Sequence, residues 1–274
     1  MKNIITITFL ICSTTVWGQD FNEKLVVPLS KPGSPGKLEV GQIRGDITIE
    51  AYDGSEVIIE ATAGSTGDSD CDSCDDDNDR RNSPPPGMKR IASSSVEFEA
   101  SENNNIVEIE TNSWKKPIHL DIKIPANFDL EVSTVHGHIR ISGVTGAMEV
   151  SGVNGPLTFT DVSGSIICNT VNGEVTATFK EVTPNEPMSF VTLNGDVDVT
   201  FPASIKAKAK MKSDRGEIFT DFDMTVDKSQ PEVKTNDGGN YKVSINAWVF
   251  GAINGGGPEF TFKNMNGDII IRKD

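Results

Sequence analysis

The 274-residue sequence predicts an all-β fold: a single-domain solenoid, or β-helix-like stack of short strands, turned at glycine corners. Gly137, Gly146, Gly155, Gly164 and Gly173 stand nine residues apart. Apolar residues two and four places after each of these glycines keep the period of two that a strand imposes on its buried face. Between these points nothing reads as a long amphipathic helix.

In chain order, the first element is a leader. Lys2, the apolar run Ile4 to Cys12, and Val16-Trp17-Gly18 before Gln19 form the charged, apolar and small-residue regions of a secretory signal peptide spanning residues 1–18. Cys12 is not a lipoprotein acylation site, because Ile11 precedes it where a small residue is required. No later apolar run approaches the ~20 residues of a membrane helix, so the expectation is an exported domain over 19–274 with no membrane insertion. A formal charge of −15 leaves no basic stripe for phosphates and argues against nucleic acid.

The phrase RGDITI (44–49) opens the strand pattern, and an acidic insert at about 64–90 then interrupts it. From Gly64 to Gly87 there is no large apolar side chain to repay the entropy of ordering, so a disordered, solvent-exposed insert is expected. Cys71 and Cys74 form a C-x-x-C there. With Asp70, Asp72 and Asp75 raising the cost of a thiolate, a local disulfide is a plainer outcome than a redox thiol. Asp70, Asp72, Asp75 and Asp77 are the candidate cation ligands, without the spacing of a calcium loop.

The nine-residue ruler follows. Apolar residues fall two, four and seven places after each glycine: Ile139, Ile141 and Val144; Met148, Val150 and Val153; Leu157, Phe159 and Val162; Ile166, Cys168 and Val171. All are expected to face inward, with the parity change before the seventh place absorbed by a bend. Asn154, Asn172 and Asn194 precede one set of glycines, and Thr145 and Ser163 the other. That alternation favours a solenoid with two corners per coil over the alternative, an antiparallel β meander with Asn-Gly hairpins. The ruler then lengthens to Gly195 and Gly216, and NGDIII around Gly267 closes the chain. Successive coils would bring Glu174, Asp196 and Glu217 into a column whose acids splay into solvent.

The stretches GDITIEAYDGSEVIIEA, LDIKIPANFDLEVSTVHGHIRISGVTGAMEVSGVNGPLTF and GAINGGGPEFTFKNMNGDIIIRK together resemble the bacterial putative-adhesin family of exported β-strand-repeat domains. The resemblance runs from about Leu38 to Lys273 outside the insert, and implies an exported single-domain β-solenoid.

Catalytic chemistry finds little to work with. The three histidines are His119, His136 and His138, and no G-x-S-x-G elbow is present. His136 and His138 flank a corner glycine and read as exposed corner residues. No catalytic residue and no cofactor is assigned. The expectation is a non-enzymatic protein with a binding or structural, adhesin-like role at the cell envelope. Its partner would be an unidentified envelope protein or glycan. A sensing or regulatory docking module is the first alternative and a carbohydrate-active enzyme the second.

Overall fold

The computed structural model describes residues 22–63, 98–111, 116–228, 232–235, 241–244 and 248–274. The leader and the acidic insert, with Cys71, Cys74, Asp70, Asp72, Asp75 and Asp77, lie outside the described residues.

Two sheets face each other across one core. In the first sheet the strands follow the order Ile118–Pro125, Ile47–Tyr52, Ile139–Ser142, the first half of Leu157–Asn172, Val175–Val182, Val197–Phe201, Ile269–Lys273 and Ile218–Thr220, every neighbour parallel. In the second they follow Ile106–Thr111, Gly36–Arg44, Phe128–His136, Ala147–Asn154, the second half of Leu157–Asn172, Met188–Asn194, Glu259–Asn264 and Ala207–Ser213, again parallel. Parallel neighbours cannot be joined by tight hairpins, so this stretch is a β-solenoid and not a meander. Antiparallel strands close the ends. Asn22–Pro28 and Glu56–Ala63 cover one end of the first sheet. In the second sheet Phe98–Asn103 flanks Ile106–Thr111, while Val249–Ile253 and Met224–Lys228 flank Ala207–Ser213. Among the described residues no helix is long and apolar enough to cross a membrane.

Alternate side chains of both sheets point inward. Ile47, Ile49, Ile139, Ile141, Leu157, Val175 and Val197 bury from the first sheet, against Leu38, Val40, Leu130, Val132, Met148 and Val150 from the second. Towards the C-terminal end the core becomes aromatic. The rings of Phe190 and Phe262 stack with centroids 5.3 Å apart, and Phe201 stacks on Phe179 at 5.0 Å and on Phe260 at 5.4 Å.

Three features differ from the linear reading. The coil order is not the chain order: Glu259–Asn264 and Ile269–Lys273 lie between the coil of residues 188–201 and the coil of residues 207–220. Gly195 therefore stacks on Gly267, and Gly267 on Gly216. The carboxylate column is accordingly Glu174, Asp196, Asp268, Glu217, and two of its members do not splay outward. Asp196 Oδ1 accepts the backbone N–H of Asp268 at 2.8 Å, and Asp268 Oδ1 accepts that of Glu217 at 2.8 Å. Hydrogen bonds to corner amides hold these acids in place.

The third difference is parity. Val144 and Val162 are buried, but Val153 and Val171 face solvent. In the first sheet a left-handed residue absorbs the shift, Gly143 at φ 69° and Asp161 at φ 53°. In the second the strand runs straight to its corner, so the sixth place after the glycine faces inward and the seventh outward. The inward place before Val153 is Gly152, but at Thr170, Thr192 and Asn264 it is polar and serves a corner carbonyl. Thr170 donates to the carbonyl of Gly155 at 3.2 Å, Thr192 to that of Gly173 at 2.8 Å, and Asn264 Nδ2 to that of Gly195 at 3.4 Å. A buried corner carbonyl needs a donor, and a valine there could not supply one.

Candidate binding face

Two kinds of corner join the sheets. Gly146 and Gly164 form one, where Gly164 lies within the long strand Leu157–Asn172 as it passes from the first sheet to the second. Gly137, Gly155, Gly173, Gly195, Gly267 and Gly216 stack in the other, following Gly45. Here close approach demands glycine: a Cβ on Gly173 would lie 2.1 Å from the carbonyl oxygen of Gly155.

Beside this column runs a ladder of side-chain amides. Asn172 Nδ2 donates to Asn154 Oδ1 at 2.8 Å, Asn194 to Asn172 at 2.7 Å and Asn266 to Asn194 at 2.6 Å. His136 Nδ1 ends the ladder 3.3 Å from Asn154 Nδ2, and Arg215 ends the other side by donating to Asn266 Oδ1 at 3.1 Å. Repeated amides on parallel strands satisfy one another in this way. His136 is thus a ladder terminus. His138 turns onto the first sheet, its Nε2 2.7 Å from Thr158 Oγ1, and burial followed by the charge of Arg140 holds its pKa below the usual histidine value. His119 lies against Asp46, with 3.9 Å between Nδ1 and Oδ2. Among the described residues no three His, Cys, Asp or Glu side chains are grouped to hold a metal ion. Cys168 is buried and unpaired, and burial pushes its thiol pKa up.

The ladder positions an exposed apolar row. The residue before each corner amide or its substitute is aliphatic: Ile43, Val135, Val153, Val171, Leu193 and Met265. Each is 38–43% exposed. The registers on either side of these residues place all six in one row across the second sheet. At the usual strand spacing the row is about 24 Å long. Asp214 takes the corresponding place before Arg215 and Gly216, so the apolar row stops there. A signal for it was present in the sequence. Each corner glycine from Gly45 to Gly195, and Gly267, carries an aliphatic residue two places before it, and what separates the two kinds of corner is the residue between: Thr145 and Ser163 follow buried valines, whereas Arg44, His136, Asn154, Asn172, Asn194 and Asn266 follow the exposed row.

The rest of this outer face is polarised along the stack. At the N-terminal end Glu108, Glu39, Glu131 and Glu149 stand in register, with Glu110 one strand step closer to the apolar row. They line a shallow groove of about 210 Å³ floored by Gly41, Ser133 and Ser151. Lys37 bonds Glu131 and Glu39, each at 2.6 Å, and these hydrogen bonds, led by that from Glu131, raise its pKa above the ordinary lysine value. At the C-terminal end the same outer rows carry Lys208, Lys210, Lys212 and Lys263. Lys210 lies 3.3 Å from Glu259 and 5.1 Å from the centre of the Trp248 ring. A larger groove of about 610 Å³ lies at the loops near Pro184, Pro202 and Pro258, and among the described residues Glu181 is its one lining carboxylate.

No curated protein matches the chain in sequence. It is similar to the crystal structure of a putative cell adhesion protein from Clostridium sporogenes ATCC 15579, at 12% identity over 93% of this chain and 100% of that one, with a TM-score of 0.46. It is also similar to a putative adhesin from Bacteroides fragilis NCTC 9343, at 11% identity over 92% of this chain and 97% of that one, with a TM-score of 0.40. The family model described as Toastrack DUF4097 matches residues 14–248, and the chain belongs to that family.

Proposed function

We propose that this is an exported, non-enzymatic protein with a binding role at the cell envelope, and that it docks a protein through the outer face of its second sheet. The apolar row from Ile43 to Met265 carries this reading. Scattered surface aliphatics are ordinary, but an aligned row rimmed by charge is the composition of an interaction site. Its aliphatic side chains suit a protein surface better than a glycan, which would be gripped by aromatic rings along the row. Export is supported by the leader-like residues 1–18.

The test is a photo-crosslinking residue placed at Val153 and, as control, at Thr176 on the first sheet, in cells producing the full chain. Amino-terminal sequencing of the envelope fraction should begin at Gln19, and protein adducts should form from position 153 and not from 176. A chain retained in the cytoplasm, or position 153 without protein adducts, overturns the reading.

A further inference from the structure

We propose that the occupant of this face is a second copy of the chain, bound face to face with its stack direction reversed; the inference rests on the docking face assigned above. The argument is one of symmetry. A two-fold axis lying in the face and parallel to its strands keeps each row of side chains over the same row of the other copy, while exchanging the two ends of the stack. With that axis between Val153 and Val171, Val153 meets Val171, Val135 meets Leu193 and Ile43 meets Met265. The row is complementary to itself.

The same operation brings opposite charges together. Glu108 shares its row with Glu39, Glu131, Glu149 and, at the far end, Lys210. Glu110 shares the next row with Lys263 and Lys212. Counting strands outward from the axis sets Glu108 over Lys210, Glu110 over Lys212 and Lys37 over Glu259. The competing two-fold, parallel to the stack, would set the glutamates over one another and is disfavoured by like charge. At a chain charge of −15 two copies repel overall, and this internal pairing offsets that repulsion across the face. The area between the strands Ile106–Thr111 and Ala207–Ser213 is about 700 Å² per copy, close to the ~800 Å² of a standard interface.

Sedimentation equilibrium on the purified full chain tests this. The expected result is a dimer that Val153→Asp converts to a monomer without changing the circular dichroism melt. Val171→Asp serves as the second such variant. Glu108→Lys with Glu110→Lys, and separately Lys210→Glu with Lys212→Glu, should each be monomeric. Mixed one to one, the two should recover a heterodimer, because each then meets its reversed complement. A wild-type chain that stays monomeric, a dimer indifferent to both Val153→Asp and Val171→Asp, or a mixture that remains monomeric overturns the proposal. A monomeric chain that still crosslinks a different envelope protein from position 153 overturns self-association alone and leaves the docking face standing.

Discussion

Asn172 gives its side-chain N–H to Asn154 at 2.8 Å and takes one from Asn194 at 2.7 Å, although the three residues come from three different coils. Each coil's corner is thereby tied to the next through a side chain as well as through the backbone. Asn172→Ala removes both bonds from the middle of the ladder. Because the ladder is exposed, the expected loss is modest, about 1–2 kcal/mol in a denaturant titration. Loss of stability no greater than that of Thr160→Ala would show that the ladder is not a stabilising unit.

Gly173→Val should be far more damaging. Its Cβ would sit within 2.1 Å of the Gly155 carbonyl, which is fixed backbone and cannot yield. Gly155→Val adds a φ of 150° to a similar collision, 2.0 Å from the carbonyl of Gly137. Thr160, exposed on its strand, is the suitable control; Thr158 is not, since it bonds His138. Thermal melts of Gly173→Val and Thr160→Val that coincide would contradict the stacked corner.

Cys168 packs inside the core at 1% exposure, and its thiol is disfavoured as thiolate by burial. A thiol reagent should leave Cys168 unlabelled in the native chain and label it on unfolding. Cys168→Asp places an unpaired carboxylate among apolar side chains and should abolish a cooperative melt, whereas Cys168→Ala should retain one. Fast native labelling at this position would refute the inward register.

Glu102 ties two segments together, accepting the backbone N–H of Asn105 at 2.8 Å and both the N–H and the hydroxyl of Ser30, at 3.1 and 2.8 Å. These bonds, the Asn105 amide first, hold its pKa below the ordinary glutamate value of 4.5. A carboxyl depressed in the folded state stabilises it above the unfolded pKa, and this contribution is lost as pH falls through the folded value. The stability gap between wild type and Glu102→Gln should therefore be full at neutral pH and shrink below about pH 4.5. A gap that stays constant down to pH 3 would exclude the ionised carboxylate as its source.

The last coil is an internal one. Removing everything after Pro258 withdraws Glu259–Asn264 from between Met188–Asn194 and Ala207–Ser213, leaving two parallel strands without their partner. Unpaired inner edges and an opened Phe190–Phe262 stack should make the truncated chain aggregate or lose its cooperative transition. A soluble truncated chain with an unchanged melt would contradict the intercalated position of this coil.

Much of this fold is set by local sequence. Strand alternation two and four residues after each glycine, with Asn before one corner and Thr or Ser before the other, determines an all-β solenoid with two corners per coil, because period and turn chemistry are local properties. The orientation of Val153 and Val171 was not local. Their parity depends on how the strand meets its stacked corner: the inward place before Val171 is Thr170, which bonds the Gly155 carbonyl only once that corner is stacked beside it, and the one before Val153 is Gly152. The apolar face follows from that choice. Coil order was likewise beyond local reading, since NGDIII offers the same parallel edge as NGDVDV and RGEIFT. Only the folded chain selects Ile269–Lys273 for the gap between Val197–Phe201 and Ile218–Thr220, where Val197 and Val199 already present matching inward side chains and Asp196 waits for the amide of Asp268. Equivalent repeats leave the choice of neighbour to long-range packing.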